Sequence, residues 1–216
     1  MLEFERQFWD KGFVRLAGVD EVGRGPLAGP VVAAAVIFER SFVEAEENGL
    51  LKGLTDSKKL SASRREFFCD IIKNSPHAIT GIGVADINEI DELNILRATH
   101  VAMKRALDAL SSPPDHVLID GLPVKGLPYP STAIVQGDAK SLSIAAASIV
   151  AKVFRDAQMR ELDSLYPEYG FARHKGYGSK AHIQALLEYG PCPVHRRTFR
   201  PVYEAAEIRA KSERQS

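Results

Sequence analysis

Residues 16–30 of the chain read LAGVDEVGRGPLAGP and combine an apolar run, an acid pair and a glycine-rich turn. The apolar run predicts a strand from Leu16 to Val22, which carries Asp20 and Glu21 near its end. The following Gly23-Arg24-Gly25 predicts a flexible, cationic loop. Burying an unpaired carboxylate costs several kcal/mol, so these acids need a partner. A metal ion is the first candidate.

The composition is typical of a globular protein. The chain has 216 residues, of which 45% are hydrophobic and 26% charged, and its length predicts one domain with at most a small appendage. A formal net charge of +0 lacks the basic excess of many nucleic-acid-binding proteins. Between Tyr169 and Arg200, however, six lysines or arginines accompany a single acid, Glu188. A basic segment is therefore present within a neutral chain.

The cysteines and the apolar runs indicate the expected compartment. Cys69 and Cys192 lie far apart in sequence, which argues against a disulfide scaffold or a zinc site. A reducing, cytoplasmic setting is expected. The longest apolar run, Val31 to Phe38, is too short to span a bilayer, and the N-terminus carries charges where a signal peptide is apolar. No membrane association is expected.

The rest of the hydrophobic pattern predicts four more strands and several helices. Strands are predicted at residues 30–38, 77–85, 117–120 and 131–136. Helices are predicted from about Ser63 and over 87–110, 139–165 and 179–189, with a short helix or arm at 1–12 and loops at 39–53, 121–130 and 166–178. Strands interleaved with helices predict an α/β layered domain. The charged tail from Glu204 to Ser216 is expected to be a solvated helix or frayed.

Two further acids follow predicted strands. Asp120 ends the VLID strand, and Asp138 comes just after the 131–136 strand. Loops converge at strand ends, so these acids are expected to meet Asp20 and Glu21. Without a cation, the carboxylates would repel each other and their pKa values would rise. Carboxylates without cysteine favour Mg²⁺ or Mn²⁺ over zinc, and two such ions can stabilise both oxygens of a phosphoryl displacement.

Three of the four acids also have a purely structural interpretation. Asp138 could be the N-cap of the following helix, and Asp120 could open a turn with Gly121. Glu21 could face the opposite side of its strand from Asp20, unless a twist or bulge brings the two together. The joint pattern is therefore stronger evidence for a metal site than any single acid.

Several segments could contact a phosphate backbone. The loop Gly23–Gly25 offers backbone N–H groups, although a plain turn is the simpler interpretation. The segment 171–178, FARHKGYG, combines basic side chains with an aromatic ring and could equally be a solvated loop. Further phosphate-contact candidates, each of which could also be ordinary surface charge, are Lys58, Lys59, Lys140, Arg196 and Arg197.

The ordered motifs of the chain resemble those of one nuclease family. GVDEVGRGPLAGPV is followed by LTDSKKLS, INEIDELNILRATHVAM, VLIDG, GDAKSLSIAAASIVAKVFRD, YGFARHKGYGS and HRRTFRP. From about Leu16 to Pro201, this order is similar to that of type 2 ribonuclease H, the ribonuclease HII family. The resemblance implies an α/β, ribonuclease H-like core over residues 1–165, with a mixed central sheet flanked by helices. Residues 166–216 would be a C-terminal helical segment that completes the substrate-binding surface, in one compact unit with the core.

The resemblance also implies an activity and a metal site. The implied enzyme is an endonuclease that hydrolyses the RNA strand of RNA–DNA hybrids. It would also cut on the 5′ side of a single ribonucleotide in duplex DNA, leaving a 3′-hydroxyl and a 5′-phosphate. The implied catalytic and metal-binding residues, which would hold two Mg²⁺ or Mn²⁺ ions when substrate is bound, are Asp20, Glu21, Asp120 and Asp138.

Substrate contacts follow from the same resemblance. The backbone of Gly23, Arg24 and Gly25 would read the 2′-hydroxyl at the RNA–DNA junction, and the ring of Tyr177 would pack on the adjoining deoxyribose. This pairing is chemically sensible, because the 2′-hydroxyl is what distinguishes RNA from DNA. Additional substrate contacts are expected from the basic residues Lys58, Lys140 and Arg196.

Two alternatives remain open at this point. Type 3 ribonucleases H are similar, but they usually carry an additional N-terminal domain and a glutamate at the fourth acid, whereas this chain has Asp138 and about fifteen residues before its first strand. A nucleic-acid-binding module without catalysis would use the basic segment to bind and the acids for structure. The protein is expected to act as a monomer.

Overall fold

Contacts between residues divide the chain into two compact units in the computed structural model, which describes residues 1–213. The first unit comprises residues 1–22, 32–84 and 99–153. The second comprises residues 23–31 and 85–98 and the chain from residue 154 onward. This division differs from the predicted boundary at residue 165, because residues distant in sequence pack together within each unit.

The first unit is built on a five-stranded mixed sheet with the strand order β3-β2-β1-β4-β5. Strand β1 pairs antiparallel with β2 and parallel with β4, and β4 pairs parallel with β5. The strands are β1 Leu16–Val22, β2 Val31–Phe38, β3 Ala78–Ala85, β4 His116–Asp120 and β5 Ser131–Ile134. All eight residues of β2 are buried, as its continuous apolar run predicted. The predicted α/β class with a mixed sheet is confirmed.

Nine α-helices are present among the described residues. They are α1 Glu3–Trp9, α2 Arg40–Glu46, α3 Ala62–Asn74, α4 Ile87–Leu93, α5 Ile95–Asp108, α6 Leu142–Leu165, α7 Phe171–His174, α8 Lys180–Tyr189 and α9 Arg200–Glu213. None of these helices is long and apolar enough to cross a bilayer. The predicted tail Glu204–Ser216 lies in α9 as far as residue 213, and residues 214–216 lie outside the described part.

Helix α6 lies unusually close to strand β1. A Cβ added at Gly18 would come within 2.1 Å of the Ser143 carbonyl carbon and 2.3 Å of the Ile144 nitrogen. The facing residues of α6 are small, and Ala145 and Ala146 are fully buried. Glycine and alanine therefore permit the close packing that holds the end of β1 in place.

The start of α6 is held by a residue far away in sequence. The Glu5 carboxylate of α1, which is only 2% exposed, accepts hydrogen bonds from the Ser143 backbone N–H at 3.0 Å and from the hydroxyls of Ser141 and Ser143. A carboxylate at a helix N-terminus satisfies free N–H groups and complements the helix dipole. The N-terminal segment is thus a helix rather than an arm.

Several predicted boundaries were wrong. The helix predicted over 87–110 is two helices, because Asn94 adopts a φ of 69° and its side chain accepts from the Leu96 and Arg97 N–H groups, which starts α5. The predicted loop 39–53 contains α2, and the loop 166–178 contains α7. Helix α3 begins at Ala62, one residue before its predicted start, and is capped by Ser61, which accepts from the Arg64 N–H.

The core of the second unit is formed by two clusters of apolar side chains. One joins Ala28 to residues of the C-terminal region, which are Met159, Tyr169, Phe171 and Ala185. The other joins Leu27 to Leu186, Val202 and Ala205. Since the loop after β1 supplies a residue to each cluster, it folds as part of this unit.

Candidate active site

Three carboxylates of the first unit meet at the carboxyl ends of two parallel strands. Val19 of β1 lies opposite Ile119 of β4, so the next residues, Asp20 and Asp120, emerge side by side. Asp138 reaches the same place from the 3₁₀ turn Gly137–Ala139 that follows β5. One oxygen from each of the three carboxylates lies within 4.8 Å of the others.

Backbone hydrogen bonds connect two of these acids. The Asp120 Oδ1 accepts from the Gly137 N–H at 2.6 Å and from the Asp138 N–H at 3.4 Å. Asp138 therefore lies inside a 3₁₀ turn rather than capping α6, and the Asp120 side chain bonds this turn. The N-cap interpretation of Asp138 is therefore wrong, and the bonds bring the Asp138 side chain to Asp120.

Asp20 is the most strongly perturbed acid of the cluster. Its side chain is 4% exposed, and burial, followed by the charges of Glu21 and Asp120, raises its pKa well above the usual value near 3.8. Hydrogen bonds from Ser148 and from the Glu21 N–H, the latter at 2.7 Å, oppose that rise without cancelling it. Without a cation, the ionised form of Asp20 is therefore disfavoured.

Asp138 is perturbed in the same direction. Burial, with the charges of Asp120 and Asp56, raises its pKa. The Lys58 Nζ lies 3.9 Å from the Asp138 Oδ2 on an exposed side chain. Burial lowers the pKa of Lys58, but four nearby carboxylates outweigh that effect and raise it. The lysine thus offsets only part of the negative charge.

The donor set fits a hard divalent cation. Three carboxylates supply oxygen ligands only, and two of them are buried with raised pKa values, which a bound cation would reverse. The residues described by the structure contain no other group of this kind. Glu21 is outside the three-acid group, although its charge acts on Asp20. Strand β1 pairs in continuous register through Val22, so no bulge turns Glu21 toward that group.

The second unit holds the glycine loop, Tyr177 and Arg196, whereas Lys58 and Lys140 belong to the first unit. Gly23 is buried with a φ of 94°, a conformation that favours glycine, whereas Arg24 and Gly25 are exposed. A Cβ added at Gly25 would lie 3.6 Å from the Tyr177 Cε1. Tyr177 is 45% exposed. The structure therefore brings the glycine loop and the tyrosine together, although 152 positions separate Gly25 from Tyr177.

Arg196 does not lie at the surface where it was expected. Its side chain is fully buried, and its guanidinium donates to the carbonyls of Gly23, Arg24 and Gly29. Burial, followed by the charge of Arg155, lowers its pKa to about 9. A side chain without accessible surface cannot meet a phosphate, so the prediction of a direct substrate contact by Arg196 is corrected.

Lys140 remains exposed, as expected of a substrate contact, and its ammonium donates to the Val135 carbonyl at 2.7 Å. Lys58 also remains exposed. Both are therefore accessible to a phosphate, in contrast to Arg196.

The turn that carries Tyr177 is supported by a chain of neutral histidines. The Cys192 N–H donates to the His195 Nδ1, which places the His195 proton on Nε2, 2.9 Å from the His182 Nε2. The His182 Nδ1–H then donates to the Tyr177 carbonyl at 2.9 Å. Burial, followed by the charge of His182, lowers the pKa of His195 to about 4. These hydrogen bonds therefore hold the Tyr177 backbone in place.

Sequence reasoning missed several supporting residues. Asp56 adds a fourth charge near Asp138, and Ser57 bonds Ser148, whose hydroxyl bonds Asp20. The LTDSKKLS motif contained Asp56 and Ser57, but nothing in its spacing pointed to the acids. Arg155, which donates to the carbonyls of Ala28, Pro30 and Lys175, was also missed.

Sequence comparisons with known proteins agree on one family. The family model described as Ribonuclease HII matches residues 17–203. A ribonuclease HII of Syntrophotalea carbinolica is 52% identical over 203 residues, covering 94% of this chain and 93% of the relative. One of Chlamydia trachomatis serovar A is 50% identical over 206 residues, covering 94% and 90%. The crystal structure of ribonuclease H2 from Pyrococcus horikoshii OT3 superposes with a TM-score of 0.73 at 30% identity, covering 91% of this chain and 99% of that one.

Proposed function

Because the chain belongs to the ribonuclease HII family, whose members cut the RNA strand of RNA–DNA hybrids, we propose that it also incises duplex DNA at a single embedded ribonucleotide. The cut falls on the 5′ side of the ribonucleotide and leaves a 3′-hydroxyl and a 5′-phosphate. Family membership sets aside the alternative of a binding module without catalysis, and the matched model favours type 2 over type 3.

The observation that carries this proposal is the proximity of Gly25 and Tyr177. An exposed glycine offers backbone groups without a side chain in the way, and the exposed ring of Tyr177 lies against it. Backbone groups can bond a 2′-hydroxyl, while a ring packs best on a sugar that lacks one. The pair therefore suits a ribonucleotide followed by a deoxyribonucleotide.

The acids of the first unit would hold the divalent ions on which the family depends. Asp20, Asp120 and Asp138 form the group that could bind one ion, and Glu21, whose charge already acts on Asp20, would hold a second ion beside that group. Mg²⁺ or Mn²⁺ ions held there would activate water and stabilise the leaving 3′ oxygen.

The protein's own residues prepare this chemistry by fixing the ligands. The Asp120 carboxylate is held by the Gly137 N–H, and the Asp20 carboxylate by Ser148 and the Glu21 N–H. Lys58, which already faces the acids, would meet the scissile phosphate and reduce its charge, and Lys140 would contact a neighbouring phosphate.

The test is incubation with a DNA duplex that contains one ribonucleotide and with a matched duplex that contains none. We expect a single cut 5′ to the ribonucleotide, followed by loss of that cut with EDTA and recovery with Mg²⁺ or Mn²⁺. The all-DNA duplex should stay intact. Cutting of long RNA tracts alone would contradict the role given to Gly23–Gly25 and Tyr177. We also propose that the protein is a monomer, and light scattering during size exclusion tests this.

A further inference from the structure

We propose that Arg155 and Arg196 are positioning residues that hold the Gly23–Gly25 loop and Tyr177 in the spacing that reads an RNA–DNA junction. The inference rests on the proposed function, because it concerns how accurately that reading surface is built. Neither side chain is placed to touch substrate: both are fully buried in the second unit.

Arg196 joins the two ends of the segment that contains the loop. Its Nη2 donates to the Gly23 carbonyl at 2.5 Å and its Nη1 to the Arg24 carbonyl at 3.0 Å. Its Nε donates to the Gly29 carbonyl at 2.9 Å, six residues further along. One rigid, planar group therefore closes the loop and fixes the direction of the peptide groups at Gly23 and Arg24.

Arg155 connects that segment to the turn before Tyr177. Its Nε donates to the Pro30 carbonyl at 2.9 Å and its Nη2 to the Ala28 carbonyl at 3.1 Å. Its Nη1 donates to the Lys175 carbonyl at 3.0 Å, two residues before the tyrosine. The Leu27 N–H donates to the Gly176 carbonyl at 2.8 Å and adds a second link.

The loop is shaped around Arg155. A Cβ added at Gly23 would lie 2.2 Å from the Arg155 Nε and 2.8 Å from the Pro30 oxygen, so glycine is the residue that fits there. The two guanidinium groups together donate to six backbone carbonyls. Within the described part of the chain, none of these carbonyl oxygens accepts a hydrogen bond of a helix or of the sheet. Buried carbonyls need donors, and an arginine fork supplies several donors in one fixed plane.

A positioning role predicts a change in substrate preference rather than a uniform loss of activity. Lysine keeps the charge but presents one small ammonium, which cannot reach three carbonyls at once. In Arg155→Lys and Arg196→Lys, the spacing between the loop and the ring should relax. A misplacement of about 1 Å at a reading site can cost up to about a hundredfold in rate.

The experiment measures kcat/KM on two substrates for each variant, one duplex with a single ribonucleotide and one hybrid with a long RNA strand. We divide kcat/KM on the single-ribonucleotide duplex by kcat/KM on the long hybrid. This ratio is expected to fall by about tenfold or more in both lysine variants. Arg160→Lys is the matched control, because Arg160 lies on the same helix and is exposed, and it should keep the wild-type ratio.

Thermal melting and circular dichroism identify variants that do not fold. An equal loss on both substrates in folded variants would indicate a merely structural role and overturn the inference. If both lysine variants unfold, hydrogen exchange on the wild-type protein tests the inference instead. The Leu27 amide, which donates to the Gly176 carbonyl, must then exchange as slowly as the amides of the apolar clusters, and exchange at the rate of an open loop overturns the inference. A wild-type enzyme that ignores the single ribonucleotide would instead refute the proposed function.

Discussion

The carboxylate cluster of the first unit and the arginine-held loop of the second bury charge in opposite ways. In the cluster, three acids lie within 4.8 Å of one another, and burial raises the pKa values of Asp20 and Asp138. In the loop, each buried guanidinium bonds three backbone carbonyls. The cluster therefore carries negative charge that a bound cation would compensate. In the loop, by contrast, the buried guanidinium groups are already hydrogen-bonded without any ligand.

The contrast indicates what each region contributes to function. Uncompensated buried charge destabilises the folded protein, and binding of a cation removes that destabilisation. The stability and activity of the cluster should therefore depend strongly on metal. Satisfied buried charge fixes geometry, so the loop should respond to substitutions that alter shape.

The largest effect is expected from Asp20→Asn on cleavage. Removing a ligand from the cluster should lower activity on RNA–DNA hybrids by more than about a hundredfold, since losing even an outer-shell partner of a metal ligand costs 10- to 100-fold. Single-turnover assays at saturating Mg²⁺ and Mn²⁺ measure this. Asp70→Asn, an exposed acid on α3, should cut normally. Full activity of Asp20→Asn would remove the cluster from the mechanism.

The second prediction concerns the histidines beneath Tyr177. The pKa of His195 lies near 4 in the folded protein and near 6.5 when unfolded, so the unfolded chain binds more protons between these values. Stability should therefore fall as the pH drops from about 6.5 to 4, by about 3 kcal/mol from this residue, with no further loss from it below pH 4.

Urea unfolding at a series of pH values measures that slope. The variant His195→Asn should be less stable at neutral pH and should lose much of the slope between pH 6.5 and 4. His77→Asn, which removes an exposed imidazole of the first unit, should keep it. An unchanged slope in His195→Asn would show that the buried histidines do not charge in this range.

A smaller effect is expected from the reading surface itself. Tyr177→Ala should lower kcat/KM on the single-ribonucleotide duplex by about tenfold, because losing the apolar contact of a large side chain costs about 1.5–3 kcal/mol. Tyr177→Phe should retain most of the activity, since the ring is what packs on the sugar. Tyr203→Ala removes a similarly exposed tyrosine of the same unit and should have no effect. Equal losses for Tyr177→Phe and Tyr177→Ala would point to the hydroxyl instead.

The smallest effect is expected on the thermal stability of the metal-free protein. Because the pKa of Asp20 is raised by folding, its ionised form costs stability at neutral pH, and Asp20→Asn should raise the melting temperature by about 2–4 °C. Adding Mg²⁺ or Mn²⁺ should raise the melting temperature of the wild type more than the melting temperature of the variant. A lower melting temperature for the metal-free variant would mean that Asp20 is satisfied without metal.

Local signals accounted for the parts of the fold and site that were predicted correctly. The strand Leu16–Val22 was predicted from its apolar run, and its bounds are those observed. The break at Asn94 had a local signal too, because asparagine is a good N-cap, but the continuous apolar pattern around it favoured one helix. The capping box of Asp86 and Glu89 at the start of α4 was also readable and was overlooked.

The sequence by itself determined the family, the mixed α/β class and the acids that could hold a metal, because ordered motifs and hydrophobic periodicity are properties of neighbouring residues. The tertiary structure alone decided that Glu5 caps α6, that Asp56 adds charge to the cluster and that Arg196 is buried against the glycine loop. Arg196 lies 172 residues from Arg24, and no local pattern distinguishes a surface arginine from a buried one. Its role depends on which carbonyls the fold places around it, and this arrangement exists only once the chain has packed.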